Sequence, residues 1–429
     1  ILVWTVMEHP LPARGLSGGE WVLVMFLCIF GASLHAVRGF STWFPRSGIE
    51  LGGLEVFGQS FEYPVSGEAA TSKTPKIMIE SFRGNARITG ADVQTVKVTG
   101  RNTIRSLDQP SAERANREAS FEVSGDADQV TIKTNQNRVS GNLRITADLD
   151  ITVPKGASVT ARGRGGDFDI NGITGSVDID SDSASVRLED IGGDVRAELR
   201  GGDIVRALNV RGGFELKGRG SDIDLQNIQG PVTVNGNFSG VTQFHNVAKP
   251  LRLVTTYSEF TVEKLPGDVR LTLGDLSASN LIGPVQFTSM RSWDIRLGAF
   301  TNSLAINQNG GDIDLRPNSL PLAKMDVHTH SGHIELALPA AAKFDLNATT
   351  NQGEISNDFG GPLTMEPTRR GRGRSLHGSN GGPAVNLSTD RGDIVVRIGV
   401  ASDSEPAPHS AQGRAAVPVP SRPPQPVEQ

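Results

Sequence analysis

Between Gly165 and Leu336 the chain keeps returning to one short phrase: a glycine turn, an aspartate and two spaced aliphatics. It reads GGDFDI at Gly165–Ile170, GSDIDL at Gly220–Leu225 and GGDIDL at Gly310–Leu315, with looser copies at Gly201–Arg206, Trp293–Leu297 and Gly332–Leu336. Aligned on this corner, the units start at 165, 183, 201, 220, 239, 257, 273, 292, 310 and 331, a spacing of 16 to 21 that centres near 18. Self-similarity at a fixed period constrains a fold more than any local propensity does.

Each unit carries two short alternating segments, the period-2 sign of half-buried strands. Two strands in about 18 residues predict an all-β, single-stranded parallel β-solenoid in which each unit is one coil. Successive coils then stack at the strand spacing of about 4.8 Å. The inward residues of one coil are Ile223, Leu225, Ile228, Val232 and Val234. The next coils offer Phe260, Val262, Leu265, Val269 and Leu271, then Leu276, Leu281, Val285 and Phe287. One coil alone buries too little to offset the ordering of its backbone, so the copies must be many and hold one another. A last strand, Arg391–Ile398, closes the series.

Glycine at the corner permits positive φ and close approach of adjacent coils. The aspartate after it bonds nearby turn N–H groups. Asp169, Asp224 and Asp314 fall between two inward residues and read as solvated surface.

Composition agrees with many tight turns: Gly is 50 of 429 residues and aromatics are only 5%. Lys and Arg number 42 against 47 Asp and Glu, without the basic excess of a nucleic-acid binder. Cys28 is the only cysteine and sits in an apolar run, which excludes an intrachain disulfide and a Cys-based zinc site.

The domain order expected is an N-terminal segment (1–20), a membrane anchor or signal helix (21–37), a linker (38–75), an N-terminal strand region (76–160), the repeats (161–398) and a disordered Pro-rich tail (399–429). Trp21–Val37 is an uncharged apolar run at the lower limit for a span. Leu34 and His35 spoil a small-x-small cleavage site, which favours an uncleaved anchor over a cleaved signal or a buried soluble helix. Arg14, Arg38 and Arg46 are too few to set orientation. The chain begins with Ile rather than Met, which leaves room for residues upstream. A short helix is expected in the polar stretch Arg105–Ser120, and no period holds across the linker.

Four chemistries compete with a purely structural reading. Calcium solenoids use G-G-x-G-x-D, but here Asp follows Gly-Gly directly and the second glycine is missing. A polysaccharide hydrolase needs two carboxylates at a fixed separation beside a sugar cleft, and no long carboxylate-bearing loop interrupts the coils. His328, His330 and His333 suit zinc or copper by residue type, yet no fourth ligand is evident and they fall at a repeat corner. The basic run Thr368–Gly378 lacks the interleaved aromatics of single-strand binding and reads as a mobile loop. No catalytic, cofactor-binding or metal residue is assigned, and no cofactor is expected.

Ile77–Gly100 resembles the opening strands of the bacterial putative-adhesin family of β-strand-repeat proteins, and Ala147–Ile179 resembles that family's central VP-x-G … G-D-x-x-V … I-x-G-x-V signature. The resemblance spans about residues 76–398. It implies a solenoid in a cell-envelope protein of unassigned function and carries no catalytic residue. The expectation is a non-enzymatic envelope protein, attached to the membrane through Trp21–Val37 and lying outside the cytoplasm. Its partner would be an envelope polymer or protein and not nucleic acid. The alternatives are a polysaccharide-acting enzyme on the same scaffold and a cytoplasm-facing regulatory scaffold.

Overall fold

The computed structural model describes residues 59–139, 143–317, 319–367 and 373–399. The chain divides into two compact units. One is residues 1–59 with Ser106–Asp108, almost wholly outside the described residues. The other, residues 60–105 and 109–429, holds the architecture that follows. The expected anchor at 21–37 and the tail beyond 399 lie outside the described residues. Among the described residues no helix is long and apolar enough to cross a membrane.

The described residues form 29 strands in one connected sheet system. Each coil lays one strand into each of two ladders. The first ladder receives the strand after the Gly-x-Asp corner: Val186–Ile191, Ile204–Val210, Asp222–Ile228 and Thr242–Val247. Their parallel register sets Val186 on Val205, Val205 on Ile223 and Ile223 on Thr242. The second ladder receives the rest: Val177–Ser181, Val195–Leu199, Phe214–Gly220, Val232–Phe238 and Leu251–Val254. There Val177, Val195, Phe214, Val232 and Leu251 stack in line. Coils of 18 or 19 residues therefore lie over one another as the repeat requires.

Every inward residue predicted for the three coils above is buried to 5% exposure or less. They join one continuous core that also takes in Phe82, Phe168, Phe214 and Phe244.

The predicted run of parallel coils breaks at Tyr257. Strand Ser258–Leu271 runs antiparallel to both strands before it, pairing Leu251 with Val262 and Thr242 with Leu271. Strand Asp275–Ser292 runs antiparallel again, and this second reversal restores the original direction. From there Leu276 stacks on Ile295 and Val285 on Leu304 in parallel register. Leu273–Gly274 is thus a hairpin tip, with Thr272 N–H donating to the Asp275 carbonyl at 2.9 Å and Gly274 at φ 103°. In sequence its Gly274-Asp275 step passes for a looser corner, because alternation reports which face a residue takes and not which way the strand runs.

The end of the chain also departs from serial order. Strands Ala384–Arg391 and Ile394–Ile398 do not close the series; they form a rung inserted between Met325–Leu338 and Asp345–Asp358. The antiparallel pair Thr364–Pro367 and Arg374–Ser379 follows on the far side of Asp345–Gln352. The second half of the basic run is therefore a strand rather than a loop, since Leu376 alternates inward and is fully buried.

At the other end the bent strand Lys76–Ala91 contributes to both ladders and pairs with Ser158–Asn171. The expected linker contains a 12-residue strand, Gln59–Ala70. It is a shallow edge strand whose inward side chains are only half-buried, which hid its alternation. Helix α1, Gln109–Glu118, buries Ala112 and Ala115 against Ile104 and Ile145.

Candidate binding face

Corner chemistry is consumed by stacking. Asp222 Oδ1 accepts the Val241 N–H at 2.7 Å, Asp294 Oδ1 the Asp312 N–H at 3.0 Å, and Asp312 Oδ1 the His333 N–H at 2.9 Å. These carboxylates tie each corner to the next coil rather than to their own turn. One oxygen of each carboxylate is thereby engaged. The corner glycines are needed because a Cβ on Gly332 would collide with the Gly311 carbonyl oxygen, and one on Gly392 with that of Gly332. Behind them, buried side chains hold the corner carbonyls: Gln308 Nε2–H donates to Trp293 O at 3.0 Å and to Gly311 O at 3.1 Å. The Thr389 hydroxyl donates to Gly332 O at 3.1 Å.

The opposite corner carries a ladder the repeat did not reveal. Asn209, Asn227 and Asn246 all adopt left-handed φ, between 51° and 59°. Each donates its amide to the side chain one coil earlier: Asn246 to Asn227 at 2.9 Å, Asn227 to Asn209 at 3.1 Å, and Asn209 to Asp190 at 2.9 Å. Asparagine tolerates this conformation best among non-glycine residues, so an Asn before a β-branched aliphatic, recurring every 18 or 19 residues, was the available signal.

The aspartates read as solvated surface are paired instead. Asp224 accepts from Arg206 at 3.0 Å, Asp314 from Arg316, and Asp169 lies 3.7 Å from Arg87. All three are half-buried.

His328, His330 and His333 lie on one rung but do not converge. Each meets the inserted final rung separately. His328 Nδ1 shares a hydrogen bond with Ser388 Oγ at 2.9 Å, His330 Nδ1 lies 2.7 Å from Asp390 Oδ2, and His333 Nδ1 accepts the Asp393 N–H at 3.1 Å. Among the described residues no group of three or more His, Cys, Asp or Glu is placed to hold a metal ion. The hydrogen bond from His330 holds the Asp390 carboxyl below its ordinary range, helped by nearby His328 and the Asn351 amide and opposed by partial burial.

These histidines border the most distinctive surface of the molecule. The outward side of the second ladder, over five in-register strands, carries Gln286 and Thr288; Ala305, Asn307 and Asn309; Asp326, His328 and His330; Asn386, Ser388 and Asp390; and Asn347, Thr349 and Asn351. Amides and hydroxyls dominate. Gln286, Thr288, Asn307, Asn309, Asn386, Asn347 and Thr349 make no side-chain hydrogen bond to another described residue. Lys324 and Asp345 flank the window where its strands begin, and Arg291 and Arg391 where they end. A shallow open groove of about 260 Å3 crosses its first three strands, lined by Gln286, Thr288, Ala305, Asn307, Asp326 and His328 among others.

Earlier in the same ladder the outward face has the opposite character. Glu215 is held below its ordinary carboxyl range by hydrogen bonds from Lys217 and Arg196, and Arg200 pairs with Asp182 at 2.8 Å. Charge there is satisfied within the sheet, whereas the Gln286–Asn351 window leaves most of its amides and hydroxyls open.

A repeating all-β stack with an open polar face among its described residues defines a class of β-repeat module. The chain belongs to the Toastrack DUF4097 family, whose model matches residues 120–397. No curated protein matches it in sequence. Solved structures it resembles include a putative cell adhesion protein from Clostridium sporogenes, at 10% identity over 79% of this chain and 100% of that one, TM-score 0.17. A putative adhesin from Bacteroides fragilis aligns at 11% identity over 78% and 97% of the two chains, TM-score 0.18. A putative lipid binding protein from Parabacteroides distasonis aligns at 12% over 78% and 95%, TM-score 0.20.

Proposed function

We propose that the protein is a non-enzymatic scaffold of the bacterial cell envelope that binds an extended partner along the outward side of its second ladder. The observation that carries this reading is the row of five in-register strands on which the amide and hydroxyl side chains, Ser388 and Asn351 apart, have no partner among the described residues. A repeated surface presents equivalent groups at each rung of about 4.8 Å, which suits a long ligand better than a small one. A hydrolase would need two carboxylates facing one cleft, and Asp326 is the single carboxylate among the groove residues. Anchoring through Trp21–Val37, with the stack outside the cytoplasm, completes the proposal.

The test is a binding screen of the full chain against glycans and cell-envelope extracts. Saturable capture of a polymer or envelope protein is expected. Turnover of a captured polysaccharide, or no capture at all, refutes the reading. Protease added to intact cells tests placement: a stack that stays whole while known surface proteins are cut is not outside.

A further inference from the structure

We infer that the face from Gln286 to Asn351 reads an uncharged, hydroxyl-rich polymer: a neutral polysaccharide strand laid along the stack axis. This rests on the binding reading above and names its ligand class.

The groups on offer match hydroxyls in both directions. Asn and Gln side chains each present donors and an acceptor, and Thr and Ser hydroxyls present both. A sugar hydroxyl also donates and accepts, so amides and hydroxyls on neighbouring rungs satisfy it without a charge. Anionic polymers are ordinarily gripped by Arg or Lys, whose ionic hydrogen bonds are the strong ones. The groove residues include neither, and Asp326 repels a phosphate, sulfate or uronate. Asp390 cannot balance a cationic ligand freely, since His330 and Asn351 already occupy its oxygens at 2.7 and 2.8 Å.

Relief on the face points to the same track. Ala305 stands in register between Gln286 and Asp326 and is the smallest residue of the groove lining. It forms a low floor between two polar side chains. Asp326 is followed in register by Asn386 and then by Asn347, so the track crosses all five strands. His328, with Nδ1 committed to Ser388, keeps Nε2 without a partner among the described residues. Five rungs at about 4.8 Å spacing give a track of roughly 20 Å, long enough for several sugar units and far longer than one.

Affinity electrophoresis and calorimetry of the full chain with dextran, mannan and a β-glucan, beside polygalacturonate and hyaluronate, test the assignment. Binding to at least one neutral polymer is expected, with little change on raising salt, because ionic contacts are screened and neutral hydrogen bonds are not. Ala305→Trp should fill the floor and weaken binding about tenfold or more, equal to about 1.4 kcal/mol. Thr288→Lys is a second, exposed probe that leaves the core untouched and should also weaken it. Arg206→Gln on the first ladder should have no effect. Melting curves matching the parent show that each variant is folded. Binding confined to anionic polymers, no binding to any neutral one, or neutral binding unmoved by both face variants overturns the inference. In the first case the chain is still an extended binder, so the broader proposal stands while this one falls; in the third the polymer binds elsewhere, and the face falls with the inference.

Discussion

Ile334 pairs in parallel register with Ile394, sixty positions onward, and Ile394 in turn pairs with Ile355. The final rung thus fills a slot between two rungs made earlier in the chain. Ile394 is fully buried there. Ile394→Ala should destabilise the protein by about 2–5 kcal/mol, as truncation of a buried aliphatic does. A urea midpoint indistinguishable from the parent would show that the rung is not inserted.

The asparagine ladder makes its own forecast. Asn227→Ala forces a Cβ residue without a compensating side chain into left-handed φ, at about 1–2 kcal/mol, and removes two ladder bonds. Asn227→Gly loses the bonds but keeps the backbone relaxed. The alanine variant should therefore melt below the glycine variant, the reverse of the usual preference for alanine over glycine in regular structure. Equal melting temperatures would deny the conformational role.

The reversed strand can be trapped covalently. Arg252 lies opposite Thr261 in antiparallel register, within the Cα separation a disulfide spans. In a Cys28→Ser chain, Arg252→Cys with Thr261→Cys should cross-link on mild oxidation. Arg252→Cys with Arg270→Cys should not, although a continued parallel coil would bring those two together, since Arg270 instead pairs with Gln243 in the other ladder. Cross-linking of the second pair alone would restore the uninterrupted stack.

Acid should loosen the inserted rung. The Asp390 carboxyl is depressed in the folded protein, chiefly by the hydrogen bond from His330. Its contribution is therefore present above the unfolded carboxylate value of about 3.9 and is lost as pH falls through the lower folded value. Thermal melts between neutral and acidic pH should show a steeper fall for the parent than for Asp390→Asn. Parallel curves would mean the contact is not coupled to folding.

Much of the architecture was legible in the sequence, for a definite reason. Ile223, Leu225, Val232 and Val234 announce their burial through alternation, and alternation at fixed spacing implies stacking. Direction was not legible, because Phe260 and Val262 alternate identically whether the strand runs up or down. The 16-residue step from Tyr257 to Leu273, the shortest in the series, was the one trace of the hairpin. Order was not legible either: RGDIVVRI has the corner and the aliphatics of any rung, and nothing in it says which gap it fills. The candidate binding face lacked a motif altogether. Its Asn, Thr and Ser residues sit at outward positions, where a repeat leaves composition free, and only the register shows that they line up. His328, His330 and His333 caught attention as a cluster in sequence, but strand pairing distributes them along an interface.

The reversed strands have a consequence for how the chain finds its shape. In the parallel coils each strand must meet a partner a full coil away, so a long loop closes before any ladder bond forms. Between Ser258 and Ser292 the partners are joined by a turn of a few residues, and such local closure is fast. Protection against hydrogen exchange during refolding should therefore arise there before it does in the parallel coils. On that footing the array has its seed in the interior, and assembly spreads from it toward both ends.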